Sequence, residues 1–193
     1  TATSLIDKFG VNKIIFTGVA GAVSSKLNIG DIVISEKLYQ HDMNTFPLFP
    51  KHQIPLTDLI FIPANESLRI KAEKAAKTLT NKIANGFKSK VCCKYGIIEP
   101  KTMVGLVATG DQFIAGAEGI EKILQDQPAA LAVEMEGAAV AQVCHEYQVP
   151  FVVIRTVSDK ANDAAVIDFP RFVNEIASQY SEAMISHMFA SDF

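Results

Sequence analysis

The sequence predicts an α/β fold, a three-layer domain built on a central mixed, largely parallel sheet. Two observations lead to this prediction. Several segments are apolar nearly throughout, as expected of strands that are covered on both faces. These segments alternate along the chain with others whose apolar residues recur at helical spacing, an order that places helices against the faces of a parallel sheet.

Local residues mark where the expected helices begin and end. Ala2, Leu5 and Phe9 lie at helical spacing, and Gly10 follows at the position where a helix usually ends. Asn65 has a side chain suited to capping the first turn of a long helix. The expected helices are, in chain order, 2–9, 66–83, 119–125, 138–147 and 169–184.

The strand-like segments are short, rich in β-branched residues and bounded by glycine or proline. Small residues at 18–22 predict a tight turn after the first strand, and four prolines within 41–63 predict a loop. The expected strands are, in chain order, 13–17, 32–35 with an extension to 41, a short one at 59–62, 89–96, 103–109, 130–134 and 151–157.

Composition and charge argue against several classes of function. The chain has 193 residues, of which 49% are hydrophobic, and shows no linker or repeat, so we expect one domain over 1–193. A net charge of −3 without a basic cluster argues against nucleic acid as a partner, and no apolar stretch is long enough for a membrane span. The three cysteines have neither disulfide-framework nor zinc-site spacing. We therefore expect a cytoplasmic protein without metal or cofactor.

The residues that follow each strand are the first candidates for a site, because parallel α/β sheets bind ligands at the carboxyl ends of their strands. The small residues at 18–22 lack the spacing of a dinucleotide fingerprint or a P-loop. They fit either a plain turn or a place where a ligand approaches the backbone closely. Phe113, beyond the strand that ends at Thr109, fits either the core or a wall against a flat ligand.

Charged residues accompany two further strands. Glu134 and Glu136 flank Met135 between a strand and a helix, where they either interact with the helix dipole or bind something that compensates for their burial. Arg155 lies inside the most strand-like segment and either forms an ion pair within the fold or supports a site. Asp159 ends that strand, at a position that suits a proton donor at the mouth of the sheet.

These candidates meet at one edge if their strands are neighbours in the sheet. Val19, Phe113, Met135, Glu136 and Asp159 then line a single pocket. If each of the five residues had only a structural role of its own, there would be no reason to expect all of them around one pocket. We therefore expect one ligand site at this edge.

Six short motifs extend over nearly the whole chain, at 16–21, 28–33, 39–42, 109–114, 132–138 and 154–159. In order and spacing they resemble the nucleoside phosphorylase/nucleosidase family, and within it most closely the 5′-methylthioadenosine/S-adenosylhomocysteine nucleosidases. Six motifs in sequence are far more specific than one. The resemblance implies a nucleoside phosphorylase-like fold.

The resemblance also implies cleavage of the bond between purine and ribose in a small adenine nucleoside. By this resemblance, Asp159 is the general acid that protonates N7 of adenine, so that the base leaves as a neutral species, and Ser158 orients it. Glu136 holds the ribose hydroxyls and favours an oxocarbenium-like transition state. Met135 forms part of the pocket wall.

Further roles around the same ligand are implied by the resemblance. Phe113 stacks on the base, and the backbone of Ile114 reads the edge of the base. Arg155 supports the side from which the nucleophile attacks. Phe46 or Phe49, in the proline-rich loop, caps the 5′ substituent, and in this family that loop typically comes from the partner subunit of a homodimer.

The residues at two positions indicate whether water or phosphate attacks the sugar. Related hexameric phosphorylases hold phosphate with an arginine two residues before the glycine of the first turn and a hydroxyl just after it, where this sequence has Phe16 and Val19. Val19 also departs from the serine that is common in the nucleosidases. We therefore expect water as the nucleophile, and hydrolysis of 5′-methylthioadenosine and S-adenosylhomocysteine.

The start of the chain departs from the family. Family members begin with a strand and then an acidic residue that activates the attacking water, whereas this sequence begins later. We expect a unit of roughly 30 residues or more to be missing, and we assign no general base. The alternatives are a purine nucleoside phosphorylase, another purine nucleoside hydrolase such as a futalosine hydrolase, and a storage or binding member with impaired catalysis.

Overall fold

The computed structural model describes residues 1–85, 90–160 and 169–190. Its strands are β1 (Ile14–Ala22), β2 (Ile32–Gln40), β3 (Ile62–Pro63), β4 (Thr102–Thr109), β5 (Ala130–Glu134) and β6 (Phe151–Asp159). Its helices are α1 (Ala2–Phe9), α2 (Glu66–Ala84), α3 (Lys90–Lys94), α4 (Ala117–Asp126), α5 (Gly137–Glu146), α6 (Phe169–Phe172) and α7 (Ser178–Ala190). A π-helical turn, Val173–Ala177, joins α6 to α7.

The strands form one mixed sheet in the order β3-β2-β4-β5-β1-β6, and β6 also pairs with β2, so the sheet curls round on itself. The longer ladders are parallel and join β1 to β6, β2 to β4 and β4 to β5. The antiparallel ladders join only two or three residue pairs each. The short strand expected at 59–62 is found as β3, at the end of that range. The predicted mixed, largely parallel sheet is confirmed.

Alternating side chains of the central strands give the sheet two packed faces. Ile32 and Ile34 of β2, together with Ile154 of β6, belong to the cluster that α2, the π-helical turn and α7 complete. Val33 and Val153 point the other way and pack with α5. Because successive side chains of a strand face opposite sides, nearly unbroken apolar strands require helices on both faces.

The five helices expected from the sequence are found in the described ranges. The Asn65 side chain accepts a hydrogen bond of 3.0 Å from the backbone N–H of Leu68 and so caps α2. Gly10 ends α1 in the left-handed conformation, with φ of 61°, which glycine adopts without steric cost. The closing helix is divided into α6, the π-helical turn and α7, a division that its apolar spacing did not predict.

The turn predicted at 18–22 is wrong, because β1 continues through these residues with an irregular pairing at Ala20 and Gly21. Glycine at position 18 has a different cause. A Cβ on Gly18 would stand 2.6 Å from Nη1 of Arg155 on the neighbouring strand. Glycine at this position therefore makes room for a side chain across the sheet.

The strand predicted at 89–96 is also wrong, because its described part contains helix α3; residue 89 lies outside the described residues. Cys92 is buried while Cys93 is exposed, so burial here is one-sided. Tyr95 packs edge-on against Phe172, with 5.3 Å between ring centroids. This contact holds the segment against the closing helices, where a short helical turn fits better than a strand.

The proline-rich loop between β2 and β3 is anchored to the end of α4. Nδ1 of the buried His52 lies 3.1 Å from the Gln40 carbonyl oxygen, and Nε2 lies 3.2 Å from Oδ2 of Asp126. Lys51 donates to the same carboxylate oxygen at 2.6 Å. This hydrogen bond, with weaker contributions from nearby charge, holds the pKa of Asp126 below its usual value.

The three cysteines are free; Cys92 and Cys144 are buried, and burial raises the pKa of Cys144 to about 11. None of the helices in the described ranges is long and apolar enough to cross a membrane. The same residues contain no group of three or more histidine, cysteine, aspartate or glutamate side chains arranged to hold a metal ion.

Candidate active site

A cavity of about 380 Å³ lies between the C-terminal half of β1 and the segments at and beyond the ends of β4, β5 and β6. Cavities of roughly 300–1,000 Å³ are typical of small-molecule sites. The described residues that line it are Phe16, Thr17, Gly18, Val19, Ala20, Gly21, Gln112, Phe113, Ile114, Val133, Glu134, Met135, Glu136, Arg155, Ser158, Asp159 and Val173.

The cavity brings together most of the residues expected in the site. These are Val19, Phe113, Ile114, Met135, Glu136, Arg155, Ser158 and Asp159. Phe46 is not among the lining residues of its own chain; it lies on the proline-rich loop and is 76% exposed. Its expected contact with a 5′ substituent stays a prediction.

The last two residues of β6, Ser158 and Asp159, line one end of the cavity. The Ser158 hydroxyl donates a hydrogen bond of 2.7 Å to Oδ2 of Asp159. Pairing of β6 with β1 sets Asp159 opposite Gly21, so the buried carboxyl stands beside a backbone that has no side chain. The serine therefore orients the carboxyl, and its lining position suits contact with the edge of a ligand.

A buried ion pair forms the floor of the site. Nε of Arg155 donates to Oε2 of Glu134 at 3.0 Å, and Nη2 donates to the same oxygen. The two side chains are 1% and 2% exposed. The guanidinium also lies over the Phe16 ring, 4.3 Å from its centroid. Arg155 thus forms an ion pair within the fold, one of its two interpretations from sequence, and lines the cavity as well.

Glu134 and Glu136 differ sharply in their surroundings, although they are two residues apart. The Glu134 carboxylate accepts the backbone N–H of Gly137 on both oxygens, at 2.9 and 2.8 Å, at the start of α5. Glu136 has a side chain that is 64% exposed and lies 3.8 Å from Nη2 of Arg155. Glu134 is therefore engaged inside the fold, whereas Glu136 remains accessible to a ligand.

An apolar wall faces these charges. Phe113 is 53% exposed and Met135 is 41% exposed, so both present apolar surface to the cavity. Val19 and Ile114 complete this surface. An accessible aromatic face beside aliphatic side chains suits a flat, uncharged ring.

The family model described as phosphorylase superfamily matches residues 1–190. The chain belongs to the phosphorylase superfamily. Among the curated relatives of this superfamily member, a protein of Tolumonas auensis named 5′-methylthioadenosine/S-adenosylhomocysteine nucleosidase is 34% identical over 187 residues, or 96% of this chain and 73% of the relative. A Staphylococcus aureus protein of the same name is 36% identical over 192 residues, or 97% of this chain and 75% of the relative.

Solved structures agree with this assignment to the phosphorylase superfamily. The Neisseria meningitidis 5′-methylthioadenosine/S-adenosylhomocysteine nucleosidase, in complex with methylthio-immucillin-A, has a TM-score of 0.82 and 31% identity, covering 98% of this chain and 74% of that one. The futalosine hydrolase of Helicobacter pylori has a TM-score of 0.75 and 33% identity, covering 96% of this chain and 72% of that one. The nucleoside phosphorylase-like fold is confirmed.

In this superfamily member, several site residues had no assigned role from sequence. Glu134 offered a usable signal, because a carboxylate that ends an apolar strand needs a buried partner and Arg155 is the one arginine in a strand-like segment. Thr109, which donates to Glu134, offered none beyond its place at the end of a strand. Val173 reaches the cavity from the π-helical turn, which no local pattern predicted.

Proposed function

We propose that this chain hydrolyses the N-glycosidic bond of 5′-methylthioadenosine and S-adenosylhomocysteine and releases adenine. The observation that carries the proposal is that the Ser158–Asp159 pair, the exposed Phe113 ring and the accessible Glu136 carboxylate share one cavity. Similarity to relatives and solved structures that bear this enzyme's name supports the same substrates. A small adenine nucleoside is therefore the proposed ligand.

At the base end, Asp159 donates a proton to N7 of adenine. The hydrogen bond of 2.7 Å from Ser158 holds the carboxyl in position for this transfer. With N7 protonated, the electrons of the C1′–N9 bond move to the base, which leaves as neutral adenine. Phe113 stacks on the ring, and the Ile114 backbone contacts its edge.

At the sugar end, Glu136 accepts hydrogen bonds from the ribose hydroxyls. Its 64% exposed side chain is free to turn toward a ligand, and its charge favours the positive sugar of an oxocarbenium-like transition state. Nη1 of Arg155 is buried without a partner among the described residues, so it suits an oxygen of the bound ligand. Met135 and Val19 close the apolar side.

Water, rather than phosphate, is the proposed nucleophile. Arg155 is the only cationic side chain among the described residues of the lining, and Glu134 already neutralises it. A phosphate ion would also face the carboxylate of Glu136, at a cost in repulsion. The water oxygen bonds to C1′ as the base leaves and gives up one proton; among the described residues we assign no base that takes it.

The reaction is tested by incubating the chain with 5′-methylthioadenosine, S-adenosylhomocysteine or futalosine, with and without phosphate, while free adenine or hypoxanthine is followed by chromatography. We expect adenine from the first two substrates at a rate that phosphate does not change, with a free sugar as the second product. A requirement for phosphate would instead indicate a phosphorylase. Preference for futalosine would contradict the proposed substrates. Tight binding of the nucleosides without cleavage would indicate a storage or binding protein.

The general acid is tested by Asp159→Asn. Loss of the proton donor should lower adenine release by about 10²–10⁴-fold while binding of adenine persists. Asp111→Asn is the matched control, because Asp111 lies near the Phe113 segment but not in the lining. Equal losses in both variants, or none in Asp159→Asn, would show that another group supplies the proton.

We also propose that the protein is a cytoplasmic homodimer. Phe46, Leu48 and Leu56 expose their side chains on the proline-rich loop, and such an apolar surface favours contact with a second copy. Phe46 would then reach the cavity of that copy. Phe46→Asp should shift light-scattering mass toward the monomer, whereas Ile70→Asp, an exposed apolar site on α2, should not. Free cysteines fit a reducing compartment.

A further inference from the structure

Thr109 lies behind the Arg155–Glu134 ion pair and is not among the residues that line the cavity of the candidate active site. It is the last residue of β4, it is buried, and it is paired in register with Glu134 of β5. Its hydroxyl oxygen accepts the backbone N–H of Ala138 at 2.8 Å and donates to Oε1 of Glu134. One hydroxyl thus joins the ends of two strands to the first turn of α5.

The direction of this hydrogen bond follows from counting donors. A hydroxyl has one proton, and the Ala138 N–H already donates to the Thr109 oxygen, so the proton is free to go to the Glu134 carboxylate. This bond fixes Oε1, while Oε2 receives the two donors of Arg155. Rotation of the carboxylate would break bonds on both of its oxygens.

The orientation of Arg155 depends on that carboxylate. With Nε and Nη2 held by Glu134, the plane of the guanidinium is set, and Nη1 comes to lie beside Gly18 of the lining. Nη1 is buried and has no partner among the described residues. A donor that is already held in place can orient a sugar oxygen, and because Glu134 neutralises the guanidinium it does so without opposing the positive charge that develops on the sugar.

We propose that Thr109 is a positioning residue for the sugar end of the cavity, acting through Glu134 to aim Nη1 of Arg155 at an oxygen of the bound nucleoside. This inference rests on the proposed function, because it assumes a ligand with a sugar. Thr109 itself is not in the lining of that cavity. Its effect should appear in turnover of the nucleoside and not in the binding of adenine, which occupies the opposite end of the cavity.

Two variants separate the hydroxyl from the volume of the side chain. Thr109→Val keeps the shape and removes the hydroxyl, whereas Thr109→Ser keeps the hydroxyl. We expect Thr109→Val to lower kcat for 5′-methylthioadenosine about 10–100-fold, with adenine affinity within about twofold of wild type, because misplacing a group that orients the substrate can cost up to about 100-fold. Thr109→Ser should restore most of the rate. Equal losses in both variants, or no loss in Thr109→Val, would overturn the proposal.

An NMR measurement tests the positioning role of Thr109 without requiring catalysis. The chain has three arginines, and Arg155 is the fully buried one, stacked on Phe16, so its Nε–H resonance should be protected from solvent and shifted by the ring. We expect this signal in wild type and Thr109→Ser, with exchange at least about 10-fold faster in Thr109→Val. Equal exchange in wild type and Thr109→Val would overturn the positioning role.

The two proposals fail in different ways. If wild type releases no adenine, the proposed function fails, and the Nε–H comparison still decides the role of Thr109. If Thr109→Val does not fold, the wild-type protein supplies the test. A slowly exchanging Thr109 hydroxyl proton with a nuclear Overhauser effect to the Ala138 amide supports the bond, and its absence overturns it.

Discussion

Replacing Glu134 with glutamine should destabilise the fold by about 3 kcal/mol, near the lower end of the range for breaking a buried ion pair. Arg155 is 1% exposed, and Glu134 takes two of its donors, so the variant leaves a buried cation without its counter-charge. Glu136, at 3.8 Å, compensates only in part because it is mostly in solvent. For a chain of this size, 3 kcal/mol corresponds to a fall in Tm of roughly 6–12 °C.

Glu136→Gln is the matched control for the same substitution two residues away. Its carboxylate is 64% exposed, so its loss should cost less than about 1 kcal/mol. Urea unfolding followed by circular dichroism gives both free energies of unfolding. If Glu134→Gln lies within about 1 kcal/mol of wild type, or if both variants lose the same amount, the buried pair does not stabilise the fold as inferred.

Three further predictions concern Gly18, the cysteines and Asp126. Gly18→Ala should lower the free energy of unfolding by about 1–3 kcal/mol, because the added Cβ would stand 2.6 Å from Nη1 of Arg155; an unchanged urea midpoint would contradict this. A thiol reagent should modify the native protein rapidly at Cys93 alone, and the buried cysteines only after denaturation, as mass spectrometry would report. Because Lys51 holds the folded pKa of Asp126 below 3.8, its contribution of at most about 1 kcal/mol is present above that pH and is lost on further acidification. Wild type should therefore lose more stability than Asp126→Asn as the pH falls from 5 to 3, and parallel urea midpoints would argue against it.

The helices and most strands could be predicted because their signals are local. The apolar runs of β2 and β6 lie between two layers of helices, and Asn65 caps α2 through atoms three residues away. The failures have non-local causes. The glycines of β1 indicated a turn, although what Gly18 accommodates is Arg155 from another strand. The segment 89–96 is helical where described, and its contact is with the closing helices.

Part of the candidate site could be predicted because of the way parallel strands are arranged in a sheet. Phe113 and Glu136 follow strands in the sequence and Asp159 ends one, and parallel strands bring such residues to one edge whatever the lengths of the connections. Position along a strand does not, however, tell which of two nearby carboxylates is buried. Glu134 and Glu136 look alike in sequence, but only the Glu134 side chain is buried, while that of Glu136 is 64% exposed.

The sequence by itself determined the layered α/β architecture, the family and the residue types gathered around the cavity. These properties depend on the spacing of apolar residues and on the order of motifs, both of which can be read directly from the sequence. Tertiary structure alone decided how those residues are connected. Arg155 and Glu134 are 21 positions apart, and Thr109 and Glu134 are 25 apart. Hydrogen bonds over such separations depend on strand order and register, which bring the side chains within a few ångströms of each other. Neither strand order nor register produces a repeating pattern in the sequence, so these bonds could not be predicted from it.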